Sequence, residues 1–266
     1  AVYLSLRRVK HRIFMKDPLI DFSKVVFVDV PCYDALNHES MHRVFPQAQN
    51  NVGRLMTLDG LRPDGELRDL GPGPGMYWRP DVSFDGKRVL FAGKRAPEDP
   101  WNVFEVQADG TGLRQLTDGP YDDIEPCYLP DGGIMFCSSR CHRFVPCWRT
   151  QVATLYRCDG DGGNIRMISN NAEQENTPWM MPDGRVLYMR WEYVDRHMML
   201  YHHLWTVNPD GTAVMVFFGN QHPGGVMIDA KPIPGTAKVV ASFSPGHGRP
   251  EHEGTITVVD PTAGPD

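Results

Sequence analysis

Cysteine and histidine side chains, which bind transition metals most readily, gather in two stretches of the chain, residues 137–153 and 190–203. Thiolate and imidazole groups together suit Zn²⁺, which takes four ligands in a tetrahedral arrangement. The sequence therefore predicts a zinc site in which both stretches take part. The candidate ligands are Cys137, Cys141, His142, Cys147, His197 and His202.

Other interpretations of these cysteines remain open from the residues alone. A disulfide between Cys141 and Cys147 would close a long loop in an oxidising compartment. Free cysteines also pack as small apolar side chains, which is how we interpret Cys127 and Cys158 among their apolar neighbours. A covalent haem is a further alternative, because the Cys137-x3-Cys141-His spacing is one residue longer than the usual haem c motif.

A second set of polar residues stands close to prolines that recur along the chain. Carboxylate and amide oxygens of this kind bind cations or cationic peptides, although they also cap turns and bind water. We therefore predict a binding channel lined by Tyr77, Asp122, Asp123, Glu125, Glu175, Asn176 and Asp229.

A third candidate site is the loop that contains His247 and His252, close to Ser244. A serine and a histidine three residues apart favour, weakly, a hydrolase. The sequence has no Gly-x-Ser-x-Gly motif of the kind that exposes a nucleophilic serine in α/β-hydrolases. Hydrolysis is therefore the weakest of the functional hypotheses.

Two alternating motifs reveal the elements that must position these residues. The first is a turn, usually Asp-Gly, before an apolar segment, and it occurs at residues 84–91 (FDGKRVLF), 130–136 (PDGGIMF), 182–188 (PDGRVLY) and, diverged, 234–240 (PGTAKVV). The second occurs at residues 109–117 (DGTGLRQLT), 161–169 (DGGNIRMIS) and 210–218 (DGTAVMVFF). The glycines of the first motif are 46, 52 and 51 residues apart. Such a period is typical of a structural repeat.

Each period holds four strand-sized segments, for example residues 82–84, 88–92, 103–107 and 113–117. A four-stranded repeat of this length is a propeller blade. The sequence therefore predicts an all-β fold, a β-propeller of four-stranded blades, with a β-sandwich as the alternative. Equivalent loops of neighbouring blades lie on one face, so the insertions at residues 137–153 and 190–203 should meet.

The repeat also predicts the domain boundaries. We expect a propeller domain at residues 24–266, with blades that start near residues 24, 80, 126, 178 and 232 and an incomplete last blade. About five blades would then belong to a truncated ring of six or seven. Residues 1–23 are predicted to be a lead-in segment or an outer strand, in which the basic stretch 7–12 is a solvated strand edge.

Composition excludes several classes of protein. The chain has 266 residues, of which 41% are hydrophobic and 23% charged, and its net charge is −6. A nucleic-acid-binding protein usually carries a basic stripe, and the sequence has no long basic run. No apolar stretch approaches the ~18 residues of a membrane span. Because the chain begins at Ala1 and ends abruptly at Asp266, we expect a piece of a longer polypeptide.

The repeated motifs resemble the TolB-like, WD-like propeller repeat over residues 80–260. More narrowly, residues 73–80 (GPGMYWRP), 137–148 (CSSRCHRFVPCW) and 242–248 (SFSPGHG) resemble the middle propeller domain of hydrazine synthase alpha-subunit-like proteins. In that family the propeller is a scaffold beside haem-bearing segments, and haem is attached through Cys-x-x-Cys-His motifs. This sequence contains no such motif.

The resemblance implies an interaction scaffold in a periplasmic or otherwise extracytoplasmic protein. It would support a metal or haem site completed by residues outside this chain, within an oxidoreductase-type multihaem complex if it belongs to an enzyme. The alternative is a TolB-like module that binds a protein or peptide without a cofactor. Either hypothesis implies a protein partner or flanking domains.

Overall fold

The computed structural model describes residues 2–18, 20, 22–30, 52–61, 65–96, 98–147, 150–221, 223–246 and 254–264. In these residues a helix, α1 (Val2–Phe14), precedes strands that form five successive units. The first unit contains β1 (Lys24–Asp29), β2 (Arg54–Asp59) and β3 (Glu66–Asp69). The second contains β4 (Met76–Val82), β5 (Arg88–Lys94), β6 (Asn102–Gln107) and β7 (Arg114–Gln115).

The remaining units follow the same pattern. The third contains β8 (Asp123–Tyr128), β9 (Ile134–Ser138), β10 (Thr154–Cys158) and β11 (Arg166–Met167), with a 3₁₀ turn at Ser139–Cys141. The fourth contains β12 (Glu175–Met180), β13 (Val186–Trp191), β14 (His202–Val207) and β15 (Met215–Phe218). The fifth contains β16 (Val226–Pro232), β17 (Val239–Ser244) and β18 (Thr255–Val259), followed by a 3₁₀ turn at Pro261–Ala263.

Each unit is a meander in which successive strands pair antiparallel. Units 2, 3 and 4 have four strands, whereas the described residues of units 1 and 5 provide three. A single parallel bridge between His202 and Val226 joins unit 4 to unit 5. The prediction of an all-β fold of four-stranded blades is therefore confirmed, and we refer to the units as blades 1 to 5.

The first strands of the blades lie side by side around a common axis. Strand β1 contacts β4, β4 contacts β8, β8 contacts β12, and β12 contacts β16. An ion pair between Arg79 of blade 2 and Asp229 of blade 5 spans the space between these strands. The fold is thus a β-propeller, with the polar residues of the first strands near its axis.

The apolar core lies between the blades. In β5, for example, Val89 and Phe91 pack with Leu55 on the blade 1 side, while Leu90 packs with Phe136 on the blade 3 side. Because each middle strand is covered on both faces, it reads as a continuous apolar run instead of an alternating one. This explains the FDGKRVLF type of motif, in which the apolar segment after the turn has no polar alternation.

A β-bulge recurs at the same place in the first strands of blades 2 to 5. The bulged residue has a left-handed backbone, at Arg79 (φ 48°), Glu125 (φ 53°), Thr177 (φ 55°) and Asp229 (φ 60°). A proline follows the first three of these residues, and Ala230 follows the fourth. Bulges tolerate proline because they leave a residue outside the hydrogen-bond ladder.

The bulge explains where the blades begin. The repeated prolines were expected to open the blades, but Pro80, Pro126 and Pro178 lie inside the first strands, which start at Met76, Asp123 and Glu175. Blade 5 begins at Val226 rather than near residue 232, and blade 1 begins at Lys24.

The chain before blade 1 contains a helix where an outer strand was one of the two expectations. Residues Val2–Phe14 form α1, so the basic stretch at residues 7–12 lies on a helix and not on a strand edge. The apolar side chains Val2, Leu6, Val9 and Ile13 recur at intervals of three and four residues, which is helical periodicity. The other expectation, a lead-in segment, stays a prediction.

A glycine in the outer hairpin of blade 3 makes a backbone contact with blade 2. Gly162 has φ +90°, and a Cβ atom there would lie 2.0 Å from the carbonyl oxygen of Leu116. We expect Gly162→Ala to lower the free energy of unfolding by more than the ~1 kcal/mol that a left-handed alanine costs. Gly184→Ala is the control, because Gly184 has φ +89° and no atom within 4 Å of that position. Equal losses in urea unfolding would contradict the contact.

Candidate functional site

The four bulged residues form a ring of polar side chains around the axis, which we call the bulge ring (Arg79, Glu125, Thr177 and Asp229). Glu125 Oε2 accepts the backbone N–H of Thr177 at 2.7 Å, and the Thr177 hydroxyl accepts the backbone N–H of Asp229 at 3.3 Å. Arg79 pairs with Asp229 and approaches Glu125 to 3.9 Å. One residue from each of blades 2 to 5 is therefore joined to the next.

The bulge ring is accessible at two of its members. The side chains of Arg79 and Asp229 are 30% and 35% exposed, whereas that of Glu125 is 5% exposed. A guanidinium donor and a carboxylate acceptor of the bulge ring are thus partly exposed, whereas Glu125 is buried beside them. With one arginine and two carboxylates, the ionised bulge ring has an excess of negative charge.

A second layer lies two residues further along each first strand and consists of Asp81, Cys127, Trp179 and Lys231. The ammonium of Lys231 lies over the ring of Trp179, 3.2 Å from its centroid, which is a cation–π arrangement. Asp81 Oδ2 accepts the backbone N–H of Tyr128 at 2.9 Å. Like the bulge ring, this layer links neighbouring blades.

Burial shifts the pKa values of two charged residues of this second layer toward neutral pH. Desolvation raises the pKa of Asp81 to about 6, although the Tyr128 N–H and Lys231 oppose it. Desolvation and the nearby charge of Arg79 lower the pKa of Lys231 to about 8. Burial also raises the pKa of the Cys127 thiol, so this cysteine is an uncharged core residue. The layer combines a carboxylate and an ammonium that titrate close to neutral pH.

Two of the predicted channel residues instead make structural hydrogen bonds, Asp123 within blade 3 and Glu175 from blade 4 to blade 3. Asp123 is fully buried, and it accepts hydrogen bonds from Ser138 Oγ at 2.5 Å and from Arg140 Nη2 at 2.7 Å. Glu175, also fully buried, accepts from Ser169 Oγ at 2.6 Å and from the Leu155 N–H at 3.0 Å. Because both carboxylates are enclosed by these donors, they stabilise the fold and do not line an open channel.

The other predicted channel residues also have structural partners. Tyr77 is buried beside Phe91, and its hydroxyl donates to the Gly73 carbonyl at 2.6 Å. Asp122 Oδ1 accepts the Trp101 N–H at 2.9 Å. Asn176 is half-buried at the start of β12. Of the seven predicted channel residues, Glu125 and Asp229 are those that the structure places in the bulge ring.

The cysteine- and histidine-rich insertions do meet, through an apolar cluster. Val145 and Val152 of one insertion pack with Met189 and Trp191 beside the other, and Cys141 packs against this cluster. Cys137 is fully buried in β9, whereas Cys147 is exposed. All five described cysteines are free thiols, so Cys141 and Cys147 do not form a disulfide.

The candidate metal ligands have other partners in this arrangement. The Cys141 thiol donates to the Val152 carbonyl at 3.2 Å, as a metal-bound thiolate could not. His142 stands edge-on to Tyr121, and His197 Nδ1 accepts the Met199 N–H at 3.3 Å.

His202 stacks on Trp191 with ring centroids 4.8 Å apart, and its Nε2 donates to the Met198 carbonyl at 3.2 Å. Among the described residues, no group of three or more His, Cys, Asp or Glu side chains is placed to bind a metal ion. The zinc site therefore stays a prediction. His247 and His252 lie outside the described residues.

The residues that sequence reasoning did not assign to the channel are Thr177 of the bulge ring and Asp81 and Trp179 of the second layer. Their signal in the sequence is spacing: Glu125, Thr177 and Asp229 are 52 residues apart, and so are Cys127, Trp179 and Lys231. An alignment of the repeats would have found them, because they occupy equivalent positions. Arg79 is the equivalent of Glu125 in the preceding blade, 46 residues earlier.

No protein-family model matches the chain. Among solved structures, Kuenenia stuttgartiensis hydrazine synthase superposes with a TM-score of 0.67, at 20% identity, over 84% of this chain and 36% of that one. TolB from Acinetobacter baumannii superposes with a TM-score of 0.50, at 15% identity, over 77% of this chain and 51% of that one. These likenesses show a β-propeller fold.

A curated relative of this propeller is DNA damage-binding protein 1 of Solanum lycopersicum, 23% identical over 132 residues, which are 50% of this chain and 11% of that protein. The chain therefore spans only a small part of that relative and about a third of the hydrazine synthase chain. At these identities the likeness shows the fold. No helix in the described part of the chain is long and apolar enough to cross a membrane.

Proposed function

We propose that the propeller is an interaction scaffold that binds a cationic segment of a partner protein at the bulge ring. The observation that carries this proposal is the position of Asp229, a carboxylate from blade 5 that is 35% exposed beside the axis. Its present partner, Arg79, comes from blade 2. A lysine or arginine side chain of the partner would compete with Arg79 for this carboxylate.

The charge and donor pattern of the channel supports a peptide as the ligand. Asp229 is the acceptor for a cationic side chain, and the released Arg79 guanidinium is a donor fork for the carbonyl oxygens of the peptide backbone. Electrostatic attraction of this kind mainly sets specificity and the association rate. The proposed ligand is therefore an extended cationic segment and needs no cofactor.

Binding of lysine- and arginine-containing peptides tests the proposal by fluorescence anisotropy. A hydrogen bond to a charged group contributes about 1.5–3 kcal/mol, so Asp229→Asn should weaken binding roughly ten- to a hundredfold. Asp210→Asn is the matched control, because Asp210 lies in the outer hairpin between β14 and β15. Equal affinities for wild type and Asp229→Asn, with intact folding, would refute the proposal.

Zinc binding by the two insertions stays a prediction, supported by their packing in one cluster and by their free thiols. Elemental analysis of the purified chain tests it. If the prediction holds, zinc is present in stoichiometric amount and is lost in Cys141→Ser and His197→Ala but kept in His11→Ala on α1. A metal-free wild-type chain that binds no added zinc contradicts it. A Soret band that survives denaturation would instead indicate covalent haem.

An extracytoplasmic location is also part of the proposal and is supported by the resemblance of the repeats to TolB-like proteins. We further propose that the chain forms part of a larger assembly, as the hydrazine synthase likeness implies. Fractionation of cells that express the full reading frame tests the location. Recovery of the protein in the cytoplasmic fraction would contradict it.

A further inference from the structure

The helix α1 is a basic amphipathic element that is fully presented to solvent. None of its thirteen residues is buried. The side chains of Val2, Leu6, Val9 and Ile13 are 74%, 64%, 46% and 67% exposed. At 100° per residue these four positions lie within about 60° of one another on the helix surface, and therefore form one apolar stripe.

Basic side chains surround this stripe. The helix contains Arg7, Arg8, Lys10 and Arg12 and no acidic residue. Lys10 and Arg12 lie on the two flanks of the stripe, and Arg7 and Arg8 lie behind it. The whole chain has a net charge of −6, so removing the four cationic side chains of α1 leaves −10 on the rest. Positive charge is therefore concentrated at α1.

A helix of this length does not persist alone in water. Isolated helices shorter than ~12–15 residues are marginal even with favourable sequences, and most helices are stabilised by burying an apolar face. Since α1 buries no residue against the propeller, its stripe is available to a surface outside the described structure. The positive charge of α1 favours an anionic surface.

We propose that α1 docks the propeller on an anionic lipid surface by lying in the headgroup region. A narrow apolar stripe, low overall hydrophobicity and a lysine- and arginine-rich polar face are the properties of an interfacial helix. Tyr3 and Phe14, at the two ends of α1, are 68% and 64% exposed and lie on the same side of the stripe as Lys10. The flanking Lys10 and Arg12 have alkyl chains long enough to leave their charges among the headgroups.

The acidic remainder of the chain favours this geometry. Residues outside α1 are repelled by anionic headgroups, so α1 alone enters the interface and the propeller stays in water. This inference is independent of the proposed peptide binding at the bulge ring, because α1 and the bulge ring share no residue. The two can fail separately.

Co-sedimentation of the whole chain with vesicles tests the proposal. Binding is expected with phosphatidylcholine vesicles that contain phosphatidylglycerol and not with pure phosphatidylcholine, and it should weaken as salt is added. Each basic residue near an anionic surface contributes ~1 kcal/mol, about fivefold in affinity. The double variant Lys10→Gln, Arg12→Gln, which changes the two flanking residues, should therefore bind about 25- to 30-fold more weakly.

A matched pair of apolar substitutions separates lipid from other anionic partners. Leu6→Ser lies in the apolar stripe and should reduce vesicle binding at least tenfold, whereas Leu4→Ser lies about 160° from Leu6 and should change it less than threefold. Poly-L-glutamate is the soluble comparison. Failure to bind anionic vesicles overturns the proposal. So does equal weakening by both leucine variants, or stronger binding to poly-L-glutamate, which would indicate an acidic protein surface.

Discussion

Replacing Asp123 with alanine is expected to lower the free energy of unfolding by about 3–5 kcal/mol, the usual cost of removing one partner from a buried ion pair. Asp123 is fully buried and holds the Arg140 guanidinium, whose side chain is 18% exposed. Without the carboxylate, the Ser138 hydroxyl would lose its acceptor, and the Arg140 guanidinium would keep the Asp118 carbonyl but lose its counter-charge. Urea unfolding followed by circular dichroism measures the loss.

The size of this effect follows from what Asp123 connects. Arg140 also donates to the Asp118 carbonyl at 2.7 Å, and the Asp122 N–H donates to Ser139 Oγ at 3.0 Å. The start of β8, the end of β9 and the segment after blade 2 are therefore fixed by one group of polar contacts. Losing it should weaken the junction of blades 2 and 3 together with blade 3 itself.

Two controls distinguish this effect from a general sensitivity to substitution. Asp123→Asn keeps the size and one acceptor oxygen, so its loss should be smaller than that of the alanine variant. Asp118→Ala removes an exposed carboxylate nearby and should change the stability by less than about 0.5 kcal/mol. A loss below 1 kcal/mol for Asp123→Ala would mean that the Arg140 pair does not stabilise blade 3 and its junction with blade 2.

The sequence predicts most of the blades because two kinds of signal agree. Each Asp-Gly turn leads directly into a buried middle strand, as at Arg88–Lys94, where the expected strand was 88–92. The third strand of the same blade was expected at 103–107 and lies at Asn102–Gln107. Turn chemistry and apolar runs are local properties, so residues near one another in sequence are enough to reveal them.

The first strands were predicted less well because their defining feature is not local. The expected strand at 82–84 lies at Met76–Val82, since Pro80 stands in a bulge and not before the strand. A bulge is defined by the register with the neighbouring strand, which spacing along one segment does not show. The bulge also sets which side chains reach the axis, as Glu125 does while Asp123 bonds to its own blade.

The zinc prediction rested on two arguments: the residue types, and the equivalent positions of the two insertions in neighbouring blades. The structure bears out the second argument. The insertions meet as expected, yet Cys141 and His202 bond to backbone carbonyls. A sequence reveals which side chains are able to bind zinc. It does not reveal which backbone groups compete for them, because those competitors come from residues whose spacing carries no pattern.

The second layer around the axis should make stability depend on pH in two separate windows. Asp81 has a pKa of about 6 against a model-compound value of 3.8, mainly because burial disfavours its charged form. A raised folded-state pKa means that the folded protein holds the proton more tightly. The stability that Asp81 contributes is thus complete below its unfolded pKa and is lost as the pH rises through about 6.

Lys231 acts at the other end of the pH range. Its pKa is about 8 against 10.5, again mainly because of burial, so the folded protein releases its proton first. A lowered folded-state pKa contributes stability that is present above the unfolded pKa and is lost as the pH falls through about 8. Each shift corresponds to roughly 3 kcal/mol.

We therefore expect the free energy of unfolding to fall between about pH 4 and 6 through Asp81 and to rise between about pH 8 and 10.5 through Lys231. Asp81→Asn should abolish the fall in the free energy of unfolding between about pH 4 and 6, and Lys231→Met should abolish the rise between about pH 8 and 10.5. Urea unfolding curves recorded across this pH range measure both. Asp85→Asn is the comparison of opposite sign, because Ser83 lowers the pKa of Asp85. The stability that Asp85 contributes to the folded protein is therefore lost as the pH falls. If the Asp81→Asn curve runs parallel to wild type from pH 4 to 6, the carboxylate of Asp81 titrates as it would in water, and burial at the axis does not control it.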